Sequence, residues 1–425
     1  MHEWAAWSGA FPYHAAKRGL PNHSDTMSHT MSGPAAIALA AFVLILGRFV
    51  SSRVPFLTRY SIPHAVTGGL IAALATLLLH LGGLEIQFER GQHPYLMLAF
   101  FASIGLGADV RVLAKGGRTL VVYFACVAAV LVLQNVVGIA VAVATGQPPL
   151  LGLVAGSVAM SGGHGTAAAW GARFESEFGM TGAIGIGLAA ATFGLVAGGL
   201  LGGPVGSKLV NRLRAQGKPL GDERRDGPHD GAVAAGPLTA DRVIVTVFLV
   251  SASIALGLLV AQWTANPRFT LPSFVWVLLV GVVLRNVLSA ARIHEVDQEA
   301  LDFAGTVSLS LYLAVALMTL RLWELAGLAL PMLIILAAQI VLMYIFVTQV
   351  TFRVMGRDYD AALLSAAQCG FGLGATPTAM ANMDALARRH GFSVRAFLIA
   401  PIIGAFLIDL CNALVISTFA QFVGR

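Results

Sequence analysis

Long apolar runs alternate with short polar segments along almost the whole chain. A helix that crosses a lipid bilayer needs about 20 consecutive, mainly apolar residues. Roughly ten stretches meet this requirement. Their approximate limits are 34–50, 64–82, 94–110, 119–144, 180–203, 242–262, 270–288, 306–320, 331–350 and 396–420. The pattern predicts an all-α polytopic membrane protein embedded in the bilayer.

Two longer polar segments delimit the membrane portion. Residues 1–33 contain Pro, His and Ser and lack the apolar core of a signal peptide, so we interpret them as a disordered leader or as the product of a start codon placed too far upstream. Residues 204–241 are rich in Gly, Pro and charged residues, which is typical of a flexible linker. This linker separates two units of five predicted spans each, 34–203 and 242–425.

The two units resemble each other in sequence. "SIPHAVTGGL" resembles "TLPSFVWVLL", and "FFASIGL" resembles "LYLAVAL". Three matched pairs are separated by 209 to 211 residues: Pro63 and Pro272, Leu106 and Leu317, and Thr166 and Thr376. A duplicated unit with an odd number of crossings enters the membrane in the opposite orientation the second time. The spacing therefore predicts two inverted repeats, an architecture common among secondary transporters.

Two glycine-rich polar motifs interrupt the apolar pattern, "SGGHGTAAAW" at 161–170 and "CGFGLGATPTAMAN" at 369–382. Each glycine costs a helix about 1 kcal/mol relative to alanine. Non-helical backbone at membrane depth is tolerated only inside protein or beside a water-filled cavity. We therefore expect one re-entrant loop near 150–176 and another near 361–386, which enter from opposite faces and meet near the midplane.

The tips of such loops suit a small anionic ligand. Backbone N–H groups at a helix N-terminus attract carboxylates, and hydroxyl groups add donors and acceptors. The predicted substrate-binding residues are Ser161, Gly162, Gly163, His164, Gly165, Thr166, Gly372, Gly374, Thr376, Pro377, Thr378, Asp409 and Asn412. The alternative is that the glycines only allow close helix packing, which we favour for "LVAGGLLGG" at 195–203. For His164, a structural hydrogen bond within the loop is favoured over a proton relay or a catalytic base.

Asp409 lies in the middle of the last predicted span, where an acidic group costs about 2.5–3.5 kcal/mol on insertion scales. Asn412 follows three residues later, on the same helical face. Asp409 can pair with a substrate ammonium, ligate a cation or hydrogen-bond to another span. Gln134 and Asn135 are weaker candidates of the same kind, because polar side chains also join helices in membranes. Two interpretations of Asp109 stay open, a charge at the membrane interface and a cation ligand.

Composition and charge support a polytopic membrane protein. The chain is 57% hydrophobic and 11% charged, whereas soluble domains are about 25% charged. If the N-terminus is periplasmic, twenty of the 27 Lys and Arg residues fall in cytoplasmic loops. This positive-inside bias explains the net charge of +6 without nucleic-acid binding. It predicts periplasmic termini and a cytoplasmic central loop. The three cysteines, Cys126, Cys369 and Cys411, form no disulfide or metal-binding spacing.

Other functional classes find little support. No Walker A, GxSxG, HExxH or Rossmann motif is present, so no organic cofactor and no ATP-driven transport are expected. An integral-membrane enzyme that uses His164 and Asp409 as an acid–base pair would lack a nucleophile and a metal set. A channel would require charge rings or a filter-like repeat.

The sequence resembles the bacterial sodium/glutamate symporter family. The resemblance is carried by "LGRFV", "SGGHGTAAAW", "SLSLYLAVALMTLRLWEL", "CGFGLGATPTAMANM" and "PIIGAFLIDLCNALVI". It implies Na⁺-coupled glutamate uptake across the bacterial inner membrane, a homodimer, and an elevator-like shift of a core domain against a scaffold. The residues predicted to hold sodium are Ser161, Gly370, Ala375, Asp409, Gln134 and Asn135.

The chemistry of glutamate fits these motifs. Loop N–H groups and hydroxyls can bind its carboxylates, and Asp409 can bind its ammonium. A bound Na⁺ would offset negative charge in a desolvated cavity, so sodium and substrate would raise each other's affinity equally. The alternative cargo is a di- or tricarboxylate or another amino acid, coupled to sodium or to protons.

Overall fold

The computed structural model describes residues 27–59, 62–82, 84–88, 93–111, 117–220, 238–264, 271–320 and 328–423. In the first half these residues form β1 (Met27–Met31), α1 (Gly33–Arg53), α2 (Pro55–Arg59), α3 (His64–Leu81), β2 (Leu84–Phe88), α4 (His93–Gly107), α5 (Gly117–Ala144), α6 (Pro149–Leu153), α7 (Gly163–Phe178) and α8 (Ala183–Ala215). A π-helical turn at Val154–Val158 follows α6.

The regular secondary-structure elements among the described residues of the second half are helices. These helices are α9 (Ala240–Trp263), α10 (Ser273–Ala290), α11 (Gln298–Met318), α12 (Ala329–Phe346), α13 (Tyr359–Leu373), α14 (Thr376–His390), α15 (Val394–Ile402) and α16 (Ile408–Val423). A π-helical turn at Val347–Thr351 extends α12 as far as a last short turn at Phe352–Val354. Another at Ile403–Leu407 joins α15 to α16.

Eight helices in the described part of the chain are long and apolar enough to cross a membrane. The sequence analysis predicted ten spans, and the two others are also helical but differ in form. Helix α4 has only 15 residues. The last predicted span is divided by the π-helical turn between α15 and α16. The structure therefore supports a multi-pass helical membrane protein.

Three predicted boundaries differ from the structure. Helix α8 continues through Pro204 to Ala215, so the first part of the expected linker 204–241 is helical. Arg212 and Arg214 in its last turn favour this extension, because they interact well with the negative end of the helix dipole. Residues 221–237 of the linker lie outside the described residues. Helix α11 begins at Gln298, earlier than the expected span at 306–320.

The third difference is a small sheet. Strands β1 and β2 pair in parallel, with Met27 opposite Leu84 and Met31 opposite Phe88. Residues 27–31, at the end of the predicted leader, form one of these strands, and the membrane-spanning elements in the described part of the chain are helices, as the predicted fold class requires. Residues 1–26 lie outside the described residues. Short strands of this kind carry little sequence signal, because five residues are too few for a clear alternating pattern.

The helices pack in two groups. The scaffold group contains α1, α3, α4, α9, α10 and α11, and the core group contains α5 to α8 and α12 to α16. Each group packs mainly within itself. The groups meet at an apolar surface where Ala168, Leu188 and Leu195 of the core group contact side chains of α3 and α11, including Tyr312. Trp170 also packs edge-on against Phe274 of α10, with ring centroids 5.8 Å apart.

Helix α8 sets the relative positions of the two broken segments. Its 33 residues extend over about 50 Å. The first part of α8 packs against α7, where His164 meets Thr192. The second part packs against α13, where the Gly198 backbone approaches the carbonyl of Cys369. Helices α7 and α13 therefore occupy opposite halves of the bundle along α8.

Basic residues mark one end of the bundle, which we call the basic end. Arg214 at the end of α8 contacts His390 at 3.1 Å, and Lys218 donates to the Arg357 carbonyl at 2.7 Å. Arg395, in the first turn of α15, contacts Thr119 at the start of α5. The end of α8, the start of α5 and the connections on both sides of α13 and α14 therefore lie together.

Candidate functional site

Both glycine-rich motifs interrupt their helices. The first broken segment, residues 149–178, has non-helical torsions at Gly156 and a positive φ of 62° at Gly163. The second, residues 359–390, is extended at Ala375 between α13 and α14. A Cβ added to Gly163 would lie 3.3 Å from the carbonyl oxygen of Gly374. The two motifs, far apart in sequence, therefore meet at their tips.

The second broken segment is a helical hairpin with both ends at the basic end. The Tyr359 hydroxyl at the start of α13 donates to the Gly391 carbonyl, just after α14, at 2.6 Å. Asp358 caps α13 by accepting from the Ala361 N–H at 2.8 Å. At the tip, the N–H of Ala375 donates to the Gly370 carbonyl at 3.1 Å. The chain therefore turns back at Gly374–Ala375.

The first broken segment has both ends at the other end of the bundle. Helix α6 packs antiparallel to α5, because Gly152 contacts Gly138 while Ser157 contacts Asn135. Helix α5 starts at the basic end, so α6 starts opposite it. Helix α7 then returns antiparallel to α8, which finishes at the basic end. The two broken segments thus approach each other from opposite ends.

A hydrogen-bond network holds the two tips together, and we call it the tip network. The Gln134 amide donates to the Gly372 carbonyl at 2.7 Å, and the Ser161 hydroxyl donates to Gln134 Oε1 at 2.7 Å. Ser161 Oγ also lies 3.2 Å from the Gly372 carbonyl oxygen. Gln339 of α12 donates to the Gln134 carbonyl at 2.8 Å. Both polar atoms of the Gln134 amide therefore bond to the tips.

A second group of buried polar atoms surrounds Ser157, and we call it the Ser157 cluster. Asn135 Oδ1 accepts from the Ser157 N–H at 2.9 Å, and the Asn412 amide donates to the Ser157 carbonyl at 2.9 Å. All three residues are fully buried. Asn135 Nδ2, Ser157 Oγ and Asn412 Oδ1 have no hydrogen-bond partner among the described residues. Such orphaned atoms are uncommon in native structures and call for an explanation.

Helices α15 and α16 pass both tips. The Thr376 hydroxyl donates to the Gly404 carbonyl at 2.6 Å, while Asn412 binds Ser157 in the first broken segment. Asp409 lies between Gly404 and Asn412 in sequence. Its side chain is partly buried and has no hydrogen-bond or ionic partner in the part of the chain that the structure describes. The structure therefore brings Asn412 to the first broken segment and places Asp409 on the same stretch of chain, with its carboxylate uncommitted among the described residues.

The remaining predicted side chains divide into bonded, buried and exposed groups. His164 is buried, and its Nε2 lies 3.0 Å from the Thr192 hydroxyl, as expected for a structural histidine. Thr166 and Thr378 are buried, and the Thr378 hydroxyl has no partner among the described residues. Pro377 is exposed. Of these residues, Thr378 adds a hydroxyl that is free to bind a ligand.

The predicted glycines act through their backbone. Gly162 donates its N–H to the Ser157 carbonyl at 2.9 Å. Gly165 faces Phe100 of the scaffold group, because an added Cβ would lie 2.5 Å from the Phe100 ring. Gly370 lies where the two arms of the second broken segment come closest. These positions bring backbone N–H and carbonyl groups into the region of the tips.

Two residues that the sequence analysis did not select take part in these networks. Ser157 stands inside "LVAGSVAM", where a small hydroxyl residue resembles ordinary helix packing. Gln339 is the lone amide in a strongly apolar helix, and this isolation is the signal that the sequence offers for a buried polar role. The structure shows that Gln339 is buried. In the described residues no group of three or more His, Cys, Asp or Glu side chains comes together. Cation ligands near the tips would therefore be mostly neutral oxygen atoms.

Asp109 belongs to an ionic network rather than to the tips. Arg111 donates to Asp109 at 2.9 Å and to Glu295 at 3.2 Å, and buried Arg285 lies 3.5 Å from Asp109. The hydrogen bond from Arg111 lowers the pKa of Asp109 to about 2. These contacts join the end of α4 to the connection between α10 and α11. The structure therefore favours the interface-charge interpretation of Asp109.

We expect Asp297→Asn to destabilise the scaffold group in a pH-dependent way. Asp297 caps α11 and receives a bidentate contact from Arg242 of α9, which lowers its pKa to about 2 from an ordinary value of 3.8. Since the folded pKa is depressed, the stabilisation is present above about pH 4 and is lost as the pH falls towards 2. Because both side chains are about a quarter exposed, the expected loss is at most about 1 kcal/mol.

The measurement is thermal unfolding of the purified protein in detergent at pH 7 and at pH 3. The difference between Asp297→Asn and wild type should shrink at pH 3. Asp302→Asn, an exposed position on the same helix, is the control and should change little at either pH. A difference of the same size at both pH values would contradict the assigned ion pair.

A multi-pass helical protein in which two broken helices meet tip to tip has the architecture of secondary transporters. Comparison with known proteins agrees with this class. The chain matches the sodium/glutamate symporter family over residues 30–392 and belongs to that family. A sodium/glutamate symporter of Haemophilus influenzae is 46% identical over 390 residues, which cover 91% of this chain and 96% of the relative. A sodium/glutamate symporter of Escherichia coli K12 is 46% identical over 398 residues, which cover 93% of this chain and 98% of the relative.

Among solved structures, a sodium/proton antiporter from Methanocaldococcus jannaschii aligns over 92% of this chain and 97% of its own, with a TM-score of 0.36 and 14% identity. This similarity is too low to transfer any position or mechanism from one structure to the other.

Proposed function

We propose that this protein carries L-glutamate together with Na⁺ into the bacterial cell by alternating access. Family membership supports this assignment, since the relatives from H. influenzae and E. coli are named sodium/glutamate symporters. The structural observation that carries the proposal is the approach of Gly163 to Gly374. Two helices, α7 and α14, begin at this point, and the N-termini of helices attract carboxylates.

The architecture that we propose is a pair of inverted repeats. The order of the elements supports it, because each half has three helices, a long helix, a broken segment and a final helix. Pro63 immediately precedes α3 and Pro272 immediately precedes α10, and both helices have 18 residues. Helix α5 begins at the basic end, whereas its counterpart α12 finishes near that end. The evidence for α12 is the contact of Tyr344, in its last turn, with Lys208 near the end of α8. In this architecture both broken segments are re-entrant loops.

The positive-inside rule assigns the basic end to the cytoplasm. Arg212, Arg214, Lys218, Arg353 and Arg357 lie at or near this end. The second re-entrant loop then enters from the cytoplasm and the first from the periplasm. The central loop is cytoplasmic and both termini are periplasmic in the bacterial inner membrane.

Transport in this proposal is an elevator-like shift of the core group against the scaffold group within a homodimer. Two observations support a sliding interface. The contact surface between the groups is apolar, as shown by Ala168, Leu188 and Leu195 against Tyr312. In addition, the hydrogen bonds of the tips among the described residues join residues within the core group, such as Gln134 with Gly372. A shift of the core group would therefore carry the tips as a unit.

In the substrate site, we assign the carboxylates of glutamate to the N–H groups and hydroxyls of the tips, with Thr378 as the free hydroxyl. Asp409 is assigned to the ammonium, because its carboxylate has no partner among the described residues. Ser161, Gly162, Gly163, Thr166, Gly374 and Thr376 would form the remaining wall. His164 would orient the first tip through Thr192.

The test is uptake of labelled glutamate by purified protein in sealed proteoliposomes, with Na⁺ and H⁺ gradients imposed separately. We expect accumulation with an inward Na⁺ gradient and none with a proton gradient alone. Aspartate, malate and citrate are added as competitors to identify the cargo class. Accumulation driven by protons, or stronger competition by malate or citrate than by unlabelled glutamate, would overturn the proposal. Chemical conversion of glutamate without any gradient would indicate an enzyme instead.

A further inference from the structure

Most of the predicted sodium residues have their polar atoms engaged in hydrogen bonds in this structure, and Asp409, whose carboxylate is uncommitted among the described residues, is assigned above to the substrate ammonium. Gln134 Oε1 already accepts from Ser161, and the Gly370 carbonyl accepts from the Ala375 N–H. Asn135 Oδ1 accepts from the Ser157 N–H, so only its NH₂ group is uncommitted, and that group is a donor. Two further buried oxygen atoms without a hydrogen-bond partner among the described residues lie in the Ser157 cluster.

We propose that Ser157 Oγ and Asn412 Oδ1 are ligands of the coupling sodium ion, an assignment that rests on the proposed Na⁺-coupled transport. Both are oxygen atoms, both are buried, and neither has a hydrogen-bond partner among the described residues. A buried polar group without a partner destabilises the fold, because it has lost its hydrogen bonds to water and gained none in the protein. A cation between the two oxygens would remove this cost for both at once.

The geometry holds both oxygens beside one short stretch of backbone. The Asn412 amide bonds to the Ser157 carbonyl at 2.9 Å, which fixes Oδ1 of the same amide close to Ser157. Asn135 anchors the Ser157 N–H from the other side. Ser157 lies in the π-helical turn Val154–Val158, beside the non-helical Gly156. Single π-helical turns are frequent at functional sites, and unwound carbonyls ligate Na⁺ in transporters.

The space available selects a small ligand. Ser157, Asn135 and Asn412 each have 0% of their surface exposed, so no water-sized void touches them. A carboxylate, an ammonium or a whole amino acid would need a much larger opening. A dehydrated Na⁺ ion is smaller than a water molecule, so it requires only a small displacement of the surrounding side chains. The cluster therefore excludes the organic substrate, and an ion as small as Na⁺ needs the least rearrangement of its side chains.

The position of the cluster also connects the ion to the substrate site. The Ser157 carbonyl accepts from the Gly162 N–H at the first tip. Gly162 precedes Gly163, which faces Gly374 of the second tip. A cation that fixes Ser157 would thus fix the first tip in the conformation that meets the second. The negative charge of bound glutamate would in turn favour the nearby cation, and this coupling is reciprocal.

The first test is Ser157→Ala in proteoliposomes, with the Na⁺ concentration for half-maximal glutamate uptake as the readout. Loss of one ligand should raise it at least tenfold, because even outer-shell changes cost about 10–100-fold in metal affinity. The apparent KM for glutamate should rise at low Na⁺ and return close to the wild-type value at saturating Na⁺. Ser157→Cys, which preserves the volume but offers sulfur, should behave like Ser157→Ala.

The second readout is binding without transport. Thermal unfolding of purified protein is followed as NaCl replaces choline chloride at constant ionic strength. Wild type should be stabilised by Na⁺, and Ser157→Ala should need at least tenfold more Na⁺ for the same shift. Ser253→Ala is the matched control, since Ser253 is equally buried and bonds only to the Leu249 carbonyl of its own helix. It should keep the wild-type Na⁺ dependence.

The outcomes separate the two proposals. If wild type shows Na⁺-driven glutamate uptake and Ser157→Ala has an unchanged Na⁺ dependence in both assays, the assignment of Ser157 is wrong and the proposed function stands. If wild type accumulates glutamate without Na⁺, the proposed function fails and the sodium site fails with it. A parallel loss of uptake at every Na⁺ concentration, with unchanged Na⁺ stabilisation, would also overturn the assignment.

Discussion

Gly370→Ala is expected to abolish glutamate uptake. An added Cβ would lie 2.3 Å from the Cα atom and 2.4 Å from the nitrogen of Ala379, on the other arm of the second broken segment. These are backbone atoms of a helix, so no side-chain rotation relieves the overlap. The arms would have to separate, at a cost of about 1–3 kcal/mol or more. Their separation would displace Gly372 and Gly374, which contact the first tip.

The experiment measures initial uptake rates in proteoliposomes together with thermal unfolding of the same preparations. Gly203→Ala is the matched control, because Gly203 lies in the neighbouring helix α8 and an added Cβ there would meet nothing within 4 Å. Alanine also has the higher helix propensity, by about 1 kcal/mol. The control should therefore retain uptake. Wild-type rates for Gly370→Ala would show that the two arms do not need this close contact.

Much of this arrangement could be predicted from the sequence, because its signals are local. A run of glycines and hydroxyl residues inside an apolar chain indicates a break, and both breaks occur close to Ser161 and Gly374 as expected. Asp409 and Asn412 stood out for the same reason, as polar residues in an apolar span. The ten apolar stretches all coincide with helices, even where a π-helical turn divides one of them.

The pairing of distant residues could not be predicted in the same way. Gln134 binds the Gly372 carbonyl across 238 positions of sequence, and nothing local to Gln134 distinguishes this bond from ordinary helix packing. Ser157 is one small residue in an apolar run, and only the burial of its unpaired hydroxyl distinguishes it. The linker boundary was misplaced because Pro204 resembles a helix terminator, although helices in membranes tolerate proline when neighbours satisfy the backbone.

Asp409→Asn is expected to lower the rate of glutamate uptake at low substrate concentration about a hundredfold. Removal of one member of a desolvated charge pair costs about 2–5 kcal/mol, and each ~1.4 kcal/mol is a factor of ten. The carboxylate of Asp409 has no partner among the described residues. Asp409 lies in sequence between Gly404, which contacts the second tip, and Asn412, which contacts the first broken segment. The proposed pairing with the ammonium of glutamate would explain why an acidic group occupies a membrane span.

The sharpest readout is discrimination between glutamate and glutarate, which differ only by the ammonium group. Glutarate should inhibit labelled uptake weakly in wild type, and Asp409→Asn should bring its inhibition constant close to that of glutamate. Asp384→Asn is the control, because Asp384 is an exposed carboxylate in α14 and has no role in the proposed site. If Asp409→Asn retains both the rate and the preference for glutamate, the ammonium is bound elsewhere. The free hydroxyl of Thr378 and the carbonyls of the tips would then be the groups to examine.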